Sequence, residues 1–291
     1  MSDYTWRDKV FVLSQYAMPH HVQSLLVYWV TRRRWRWLNR LLMPWFIRRY
    51  GVDMSITVEP DWHRYENFNS LFTRALKPEA RPIANGNRQV ACPVDGTVSQ
   101  AGAIEGERVF QAKEHAFTLT ELLGGSTERA QPFVGGSFAT LYLSPRDYHR
   151  IHMPVQGSLR EMVYIPGRLY SVNAVTAAHI PRLFARNERV VCMFDTEAGP
   201  MAMVLVGALH VGSIETVWHG QVTPPYRFRS HRWAYASGTG AVLLERGQEM
   251  GRFNLGSTVI VLFGADALQL DAAISAGSPV EMGQLLGSLG S

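Results

Sequence analysis

A serine flanked by glycine and threonine, Leu255-Gly-Ser-Thr258, stands at the head of the apolar run Val259 to Phe263. An aspartate lies in Ala91-Cys-Pro-Val-Asp-Gly-Thr-Val98, and two histidines lie in Ser144-Pro-Arg-Asp-Tyr-His-Arg-Ile-His-Met-Pro154. In chain order these are Asp95, His149 and His152, and Ser257. A carboxylate that orients an imidazole, and an imidazole that takes a hydroxyl proton, together activate a serine. Each segment also has a plainer reading. Gly256 permits a turn closed to other residues, Ser257 bonds locally to the backbone, and Asp95-Gly96 suits the corner of a β-turn. Two histidines can bind metal, but H-E-x-x-H is absent and no third ligand is evident, so the expected metal set is none. Sequence alone does not show that the three segments meet.

The elements that must position these residues fall into two parts. Ser144 and Pro145 read as a helix start and Pro154 as a stop, which predicts one helical turn with His149 and His152 on one face. Asp61–Leu76 reads as a helix with Tyr65, Phe68, Leu71 and Phe72 on an apolar stripe. From Ile83 onward, short apolar runs alternate with Gly- and Pro-marked turns, among them 136–143, 157–165, 190–194, 201–206, 241–244 and 258–263. The fold expected is α+β: a β-rich catalytic core, sandwich- or barrel-like, over 59–291, preceded by amphipathic helices in a basic, Trp-rich segment over 1–58.

At 291 residues the chain can bury a large core, and its 46% apolar and 18% charged content is that of an ordinary globular protein. Cys92 and Cys192 lie a hundred residues apart, which fits a reducing compartment better than a disulfide framework. The longest apolar runs fall far short of the roughly 20 residues of a membrane span. The net charge of +5 is local. Between Lys9 and Val52 there are eight Lys/Arg and no acid, which leaves −3 for the rest of the chain and disfavours a broad nucleic-acid surface. Four of the eight tryptophans fall between Trp29 and Trp45. On a helix, Trp37, Leu38, Leu41, Leu42 and Trp45 share one side while Arg33, Arg36 and Arg40 gather on another, and Pro44 bends or restarts it. Such a helix either packs on its own domain or lies in an anionic membrane interface, indoles at headgroup depth and arginines on phosphates. The absence of any acid favours the membrane.

No G-x-S-x-G elbow, dinucleotide fingerprint or Walker loop is present. What is present resembles the phosphatidylserine decarboxylases of the bacterial and mitochondrial type, over nearly the whole length. The matching segments are Phe68-Asn-Ser-Leu-Phe-Thr-Arg74, Arg81-Pro-Ile83, Pro93-Val-Asp-Gly96, Leu143–Pro154, Phe184-Ala-Arg-Asn-Glu-Arg189, Val211-Gly-Ser-Ile-Glu-Thr-Val217, Gly247-Gln-Glu-Met-Gly251 and Leu255–Thr258. Tyr-His-Arg-Ile-His-Met-Pro together with Leu-Gly-Ser-Thr is highly specific.

The resemblance implies that Ser257 is the precursor of a cofactor rather than a hydrolytic nucleophile. Members of this family are made as proenzymes that cut themselves before this serine, which becomes a pyruvoyl group. By that analogy His152, oriented by Asp95, serves as the processing base. His149 either delivers a proton during decarboxylation or orients His152. The pyruvoyl ketone condenses with the serine headgroup amine, CO2 leaves, and phosphatidylethanolamine is released. The implied setting is peripheral, on the cytoplasmic face of the cell membrane. Arg33, Arg36, Trp37, Arg40, Leu41 and Trp45 then dock the chain on phosphatidylserine-bearing bilayers, and the two cleaved chains stay together. A homo-oligomer is left open, and no nucleic-acid partner is expected. A pyruvoyl decarboxylase of a soluble amino acid and a metal-dependent hydrolase using His149 and His152 are the alternatives. A carrier module would need a lysine at a hairpin tip, and none stands in a suitable context.

Overall fold

In the computed structural model, residues 5–112, 115–209, 213–236 and 238–290 are described. Three helices come first: α1 (Trp6–Ala17), α2 (His20–Thr31) and α3 (Arg36–Tyr50). Thr5 caps α1 in a capping box with Asp8, and Gly51 closes α3 at φ 65°, a left-handed conformation that glycine adopts without strain. Pro44 lies inside α3 and neither ends nor restarts it. Arg33 lies in the link between α2 and α3 rather than on one helix with Arg36 and Arg40.

The expected helix over 61–76 is much shorter. Asn67 caps α4 (Phe68–Phe72) through Ser70, and Thr73 returns its hydroxyl to the Asn69 carbonyl. The chain then extends so that Leu76 can bridge Thr57. Phe68, Leu71 and Phe72 join Met43, Phe46 and Val52 in a small core that fastens α3 to the rest of the chain.

Beyond it the chain is a set of antiparallel sheets; the described residues are about 25% helix and 34% strand, and among them no barrel closes. The largest has nine strands. Ser257–Phe263 lies at its centre, between Gly199–Val206 on one side and Ser137–Leu143 on the other. Every residue of that central strand is buried, because both faces of the sheet are covered, and the sequence accordingly runs apolar without alternation. Arg150–His152 belongs to a second, four-stranded sheet, next to Glu249–Phe253. The helical turn expected over 144–154 is therefore absent. The Asp147 carboxylate accepts from the Ser144 backbone N–H at 2.7 Å and closes a turn, after which the chain enters a strand.

Candidate active site

The register of the central strand places Ser257 opposite Leu143. On the far side of Leu143 runs Gly96, immediately after Asp95, pressed so close that a Cβ there would sit 2.2 Å from the Tyr142 carbonyl oxygen. The Asp95 and Ser257 segments thus flank one strand, and the turn after that strand leads to the histidines. The backbone brings all three sequence segments into one neighbourhood.

The side chains divide differently from expectation. His149 stands just before the strand Arg150–His152 rather than one helical turn from His152, and the two rings bond to different carbonyls. His149 turns toward the central strand, fully buried, its ring 4.2 Å from that of Phe72. A methyl group added to Gly256 would lie 4.0 Å from His149 Nε2 and 3.7 Å from the Leu143 carbonyl oxygen, ordinary van der Waals contact, so both atoms stand directly over this residue. His149 Nδ1 is 2.8 Å from the Asp147 carbonyl oxygen, which only accepts, so the proton is on Nδ1 and the lone pair on Nε2. Burial lowers its pKa to about 3, helped by the nearby Arg74 guanidinium and opposed by that hydrogen bond. Among the polar atoms buried here without a partner are His149 Nε2 and Ser257 Oγ, with Thr258 Oγ1 and Arg74 Nε close by.

His152 faces the other way. Its Nδ1 donates to the Gly247 carbonyl at 2.7 Å, and its Nε2 receives the Tyr148 hydroxyl at 3.1 Å. Burial lowers its pKa as well. Asp95 does not orient it. Both Asp95 oxygens are taken by Arg81, with Nη2 at 2.7 Å and Nε at 2.9 Å, and Oδ1 also accepts from the Met282 N–H at 2.8 Å. The carboxylate still lies near enough to His152 to favour its protonated form through space. Arg81 and Tyr148 were missed as site residues, although both fall within the quoted segments. Arg74, nearly fully buried, reaches the Arg146 carbonyl from behind His149.

A cavity of about 570 Å³ opens over Gly256. Its walls are mostly apolar and come from both parts of the chain: Leu26 and Val30 of α2, Trp45 and Phe46 of α3, Phe72 of α4, and Leu143 and Leu255 of the core. Residue spacing gave no sign of it, since its sides are far apart in sequence. Of the residues expected on a membrane face, Trp37 and Leu41 are each 69% exposed and Trp45 50%. Arg36 and Arg40 are exposed beside them, whereas Arg33 is half-buried with its guanidinium 3.9 Å over the Trp29 ring. Among the described residues no three His, Cys, Asp or Glu side chains are grouped to hold a metal ion, and no helix is long and apolar enough to cross a membrane.

Comparison with known proteins bears directly on this site. The sequence model of the family described as phosphatidylserine decarboxylase matches residues 68–288, and a second one, described as PSD, matches residues 10–51. The phosphatidylserine decarboxylase proenzyme of Ectopseudomonas mendocina (strain ymp) is 56% identical over 283 residues, covering 97% of this chain and 99% of that one. The proenzymes of Pseudomonas aeruginosa (strain LESB58) and Pseudomonas putida (strain GB-1) are each 56% identical, over 97% and 96% of this chain and 98% of theirs.

Proposed function

The chain belongs to the phosphatidylserine decarboxylase family and is a carboxy-lyase; from that premise we propose that it makes its own pyruvoyl group by cutting itself between Gly256 and Ser257, and that it decarboxylates phosphatidylserine at a bilayer surface. One observation carries this reading. An unbonded buried hydroxyl and an unbonded imidazole nitrogen lie beside a single peptide bond, whose Gly256 lines an apolar cavity.

Ser257 Oγ attacks the Gly256 carbonyl carbon and the C–N bond breaks, leaving an ester and a free Ser257 amine. Loss of the Ser257 α-proton then breaks the Cβ–Oγ bond and releases residues 1–256 with a terminal carboxylate. Water displaces ammonia from the remainder, leaving a pyruvoyl group at the head of residues 257–291. Gly256 suits the attack because nothing crowds its α-carbon. His149 is the base we assign, since its lone pair is on Nε2, the atom beside Gly256, and burial keeps the ring neutral. For His152 to act first, its ring would have to leave Tyr148 and Gly247.

The residues fit such a group, since Ser257 Oγ is unbonded and the neighbouring Gly256 lines the cavity. The pyruvoyl carbonyl supplies an electrophile that takes the substrate amine and accepts the electrons released with CO2. The chain contributes the surroundings. Phe46, Phe72, Leu143 and Leu255 keep water from the reacting carboxylate, which favours loss of its charge as CO2. His149 Nε2, whose lone pair can take and return a proton, lies 4.0 Å from where a methyl on Gly256 would stand. Leu26 and Trp45 line the cavity and are themselves exposed, so a lipid can pass from a bilayer to Gly256 without crossing water. The exposed stripe Trp37, Leu41 and Trp45, with Arg36 and Arg40 beside it, supports docking on the anionic cytoplasmic face of the cell membrane.

Denaturing mass spectrometry of the purified protein tests the cut: chains of 256 and 35 residues are expected, the smaller blocked to Edman degradation. An active enzyme that remains one chain overturns the proposal.

A further inference from the structure

The acid-free front end has a counterpart much later in the chain. From Thr216 to Leu244 there is no Asp or Glu, while Arg227, Arg229 and Arg232 cluster in Tyr226-Arg-Phe-Arg-Ser-His-Arg232. Phe228, at the tip of the loop before the edge strand His231–Ala234, is 101% exposed, and Arg227 and Arg229 on either side of it are exposed too. Taking an aromatic ring held wholly in water into an apolar environment is favourable.

This loop is anchored at its base. The Tyr164 hydroxyl accepts from the Arg227 N–H at 3.2 Å and donates to the buried Glu188 carboxylate at 2.8 Å. It is also fastened to α2. The Tyr226 ring meets His21 edge-on at 5.0 Å, and the Tyr28 hydroxyl donates to Gln221 at 2.9 Å. A cavity of about 540 Å³ lies between loop and helix, lined by His21 and Leu25 on one side and Pro225, Tyr226 and Phe228 on the other. Along α2 the apolar side chains Val22, Leu25 and Leu26 continue the exposed surface.

We propose that the loop Pro224–Ser230 is a second membrane contact, in which Phe228 enters the headgroup region of an anionic bilayer while Arg227 and Arg229 meet lipid phosphates. The inference rests on the membrane docking of α3 proposed above. The choice of occupant rests on charge complementarity, a stretch with arginines and no acid around an apolar tip, and on continuity with the exposed face of α2. Two contacts far apart in sequence would hold the cavity mouth over the lipid, where one helix alone would leave the core free to roll.

The test uses the full chain with Phe228→Cys carrying an environment-sensitive fluorophore. Cys92 and Cys192 are both buried, so only the substituted position labels. On vesicles of phosphatidylglycerol and phosphatidylcholine, blue-shifted emission and quenching by lipids with nitroxide-bearing acyl chains are expected. Phe228→Ser, at unchanged melting midpoint, should weaken vesicle partitioning roughly tenfold, and should do so even in high salt. If the chain sediments with vesicles while the probe stays in water, the loop contact is overturned and the docking of the helices stands. If the chain does not sediment, the docking reading itself fails. If the probe shifts only with protein concentration, and Phe228→Ser dissolves a dimer seen by ultracentrifugation, a second copy covers this loop and the lipid contact is wrong.

Discussion

His149 is a base that the fold keeps from protonating. An unfolded histidine binds a proton near pH 6.5, whereas burial holds His149 at about 3. The folded chain therefore binds fewer protons between those limits. The stability this contributes is complete above the unfolded value and is lost as pH falls from about 6.5 toward 3, at up to about 1.4 kcal/mol per pH unit. The same shift predicts that processing by a neutral His149 keeps its rate from about pH 8 to about pH 5, where a base of ordinary pKa would lose most of its activity. A time course of cleavage by gel electrophoresis checks this, and a rate that falls tenfold per unit below pH 6.5 would count against His149. Ser257→Ala should leave one uncut, inactive chain, while Ser257→Cys should still cut, since a thiol makes the same acyl shift and elimination. His149→Ala should slow cleavage by about 100-fold or more, the usual worth of a positioned base. If His149→Ala cuts normally and His152→Ala does not, the base is His152, as the family resemblance implies. Residue types were legible in the sequence, but the direction of each ring was not. That direction depends on the carbonyls of Asp147 and Gly247, and backbone carbonyls carry no residue signature.

The elements read well wherever burial sets the pattern. The strand over 157–165 was read with its observed ends, and the strand at Ser257 began one residue earlier than read, because continuous apolar runs bounded by turn residues leave little choice. The reading failed where a local signal serves two purposes. Serine followed by proline starts a helix or a turn equally well, and pairing of 150–152 with 249–252, a hundred residues on, chose the strand. Asp95 shows the same limit. Its partners Arg81 and Met282 lie in segments that no spacing rule connects. Arg81 is itself largely buried, and Met282 belongs to the smaller of the two chains that processing would create. Arg81→Ala should therefore leave a buried carboxylate unpaired and destabilise the protein by roughly 3–5 kcal/mol, far more than an exposed ion pair would. Asp95→Asn, which keeps shape and loses charge, should cost less and still slow cleavage. Thermal unfolding of the two variants separates these outcomes, and equal midpoints would mean that the pair only decorates the fold.

On the scale of the whole molecule, the part with the chemistry and the part with the charge share one cavity, and each can be impaired without the other. Arg36 and Arg40 are exposed on α3 beside Trp37 and Leu41, whereas Arg33 is half-buried against Trp29. Charge reversal belongs at the first two, because Arg33→Glu would also disturb packing. Each arginine near an anionic surface contributes about 1 kcal/mol, so Arg36→Glu with Arg40→Glu should weaken vesicle binding at low salt by roughly 30-fold or more. Salt should remove most of that difference, leaving the share held by Trp37, Leu41 and Trp45, which is not screened. Self-cleavage should proceed normally in the reversed protein, because Ser257 lies in the central strand, His149 just ahead of the strand Arg150–His152, and neither is bonded to either arginine. The two chains should also stay together. Residues 257–291 supply the centre of the largest sheet and pair again with Gln89–Ala91 and Gly96–Ala103, so co-elution on size exclusion should end only in denaturant. Activity on vesicles should fall with binding, while activity on a short-chain, soluble phosphatidylserine should hold. A loss on both substrates would show that α3 shapes the cavity instead of delivering it to the bilayer, and unchanged vesicle binding would move the membrane contact off this helix altogether.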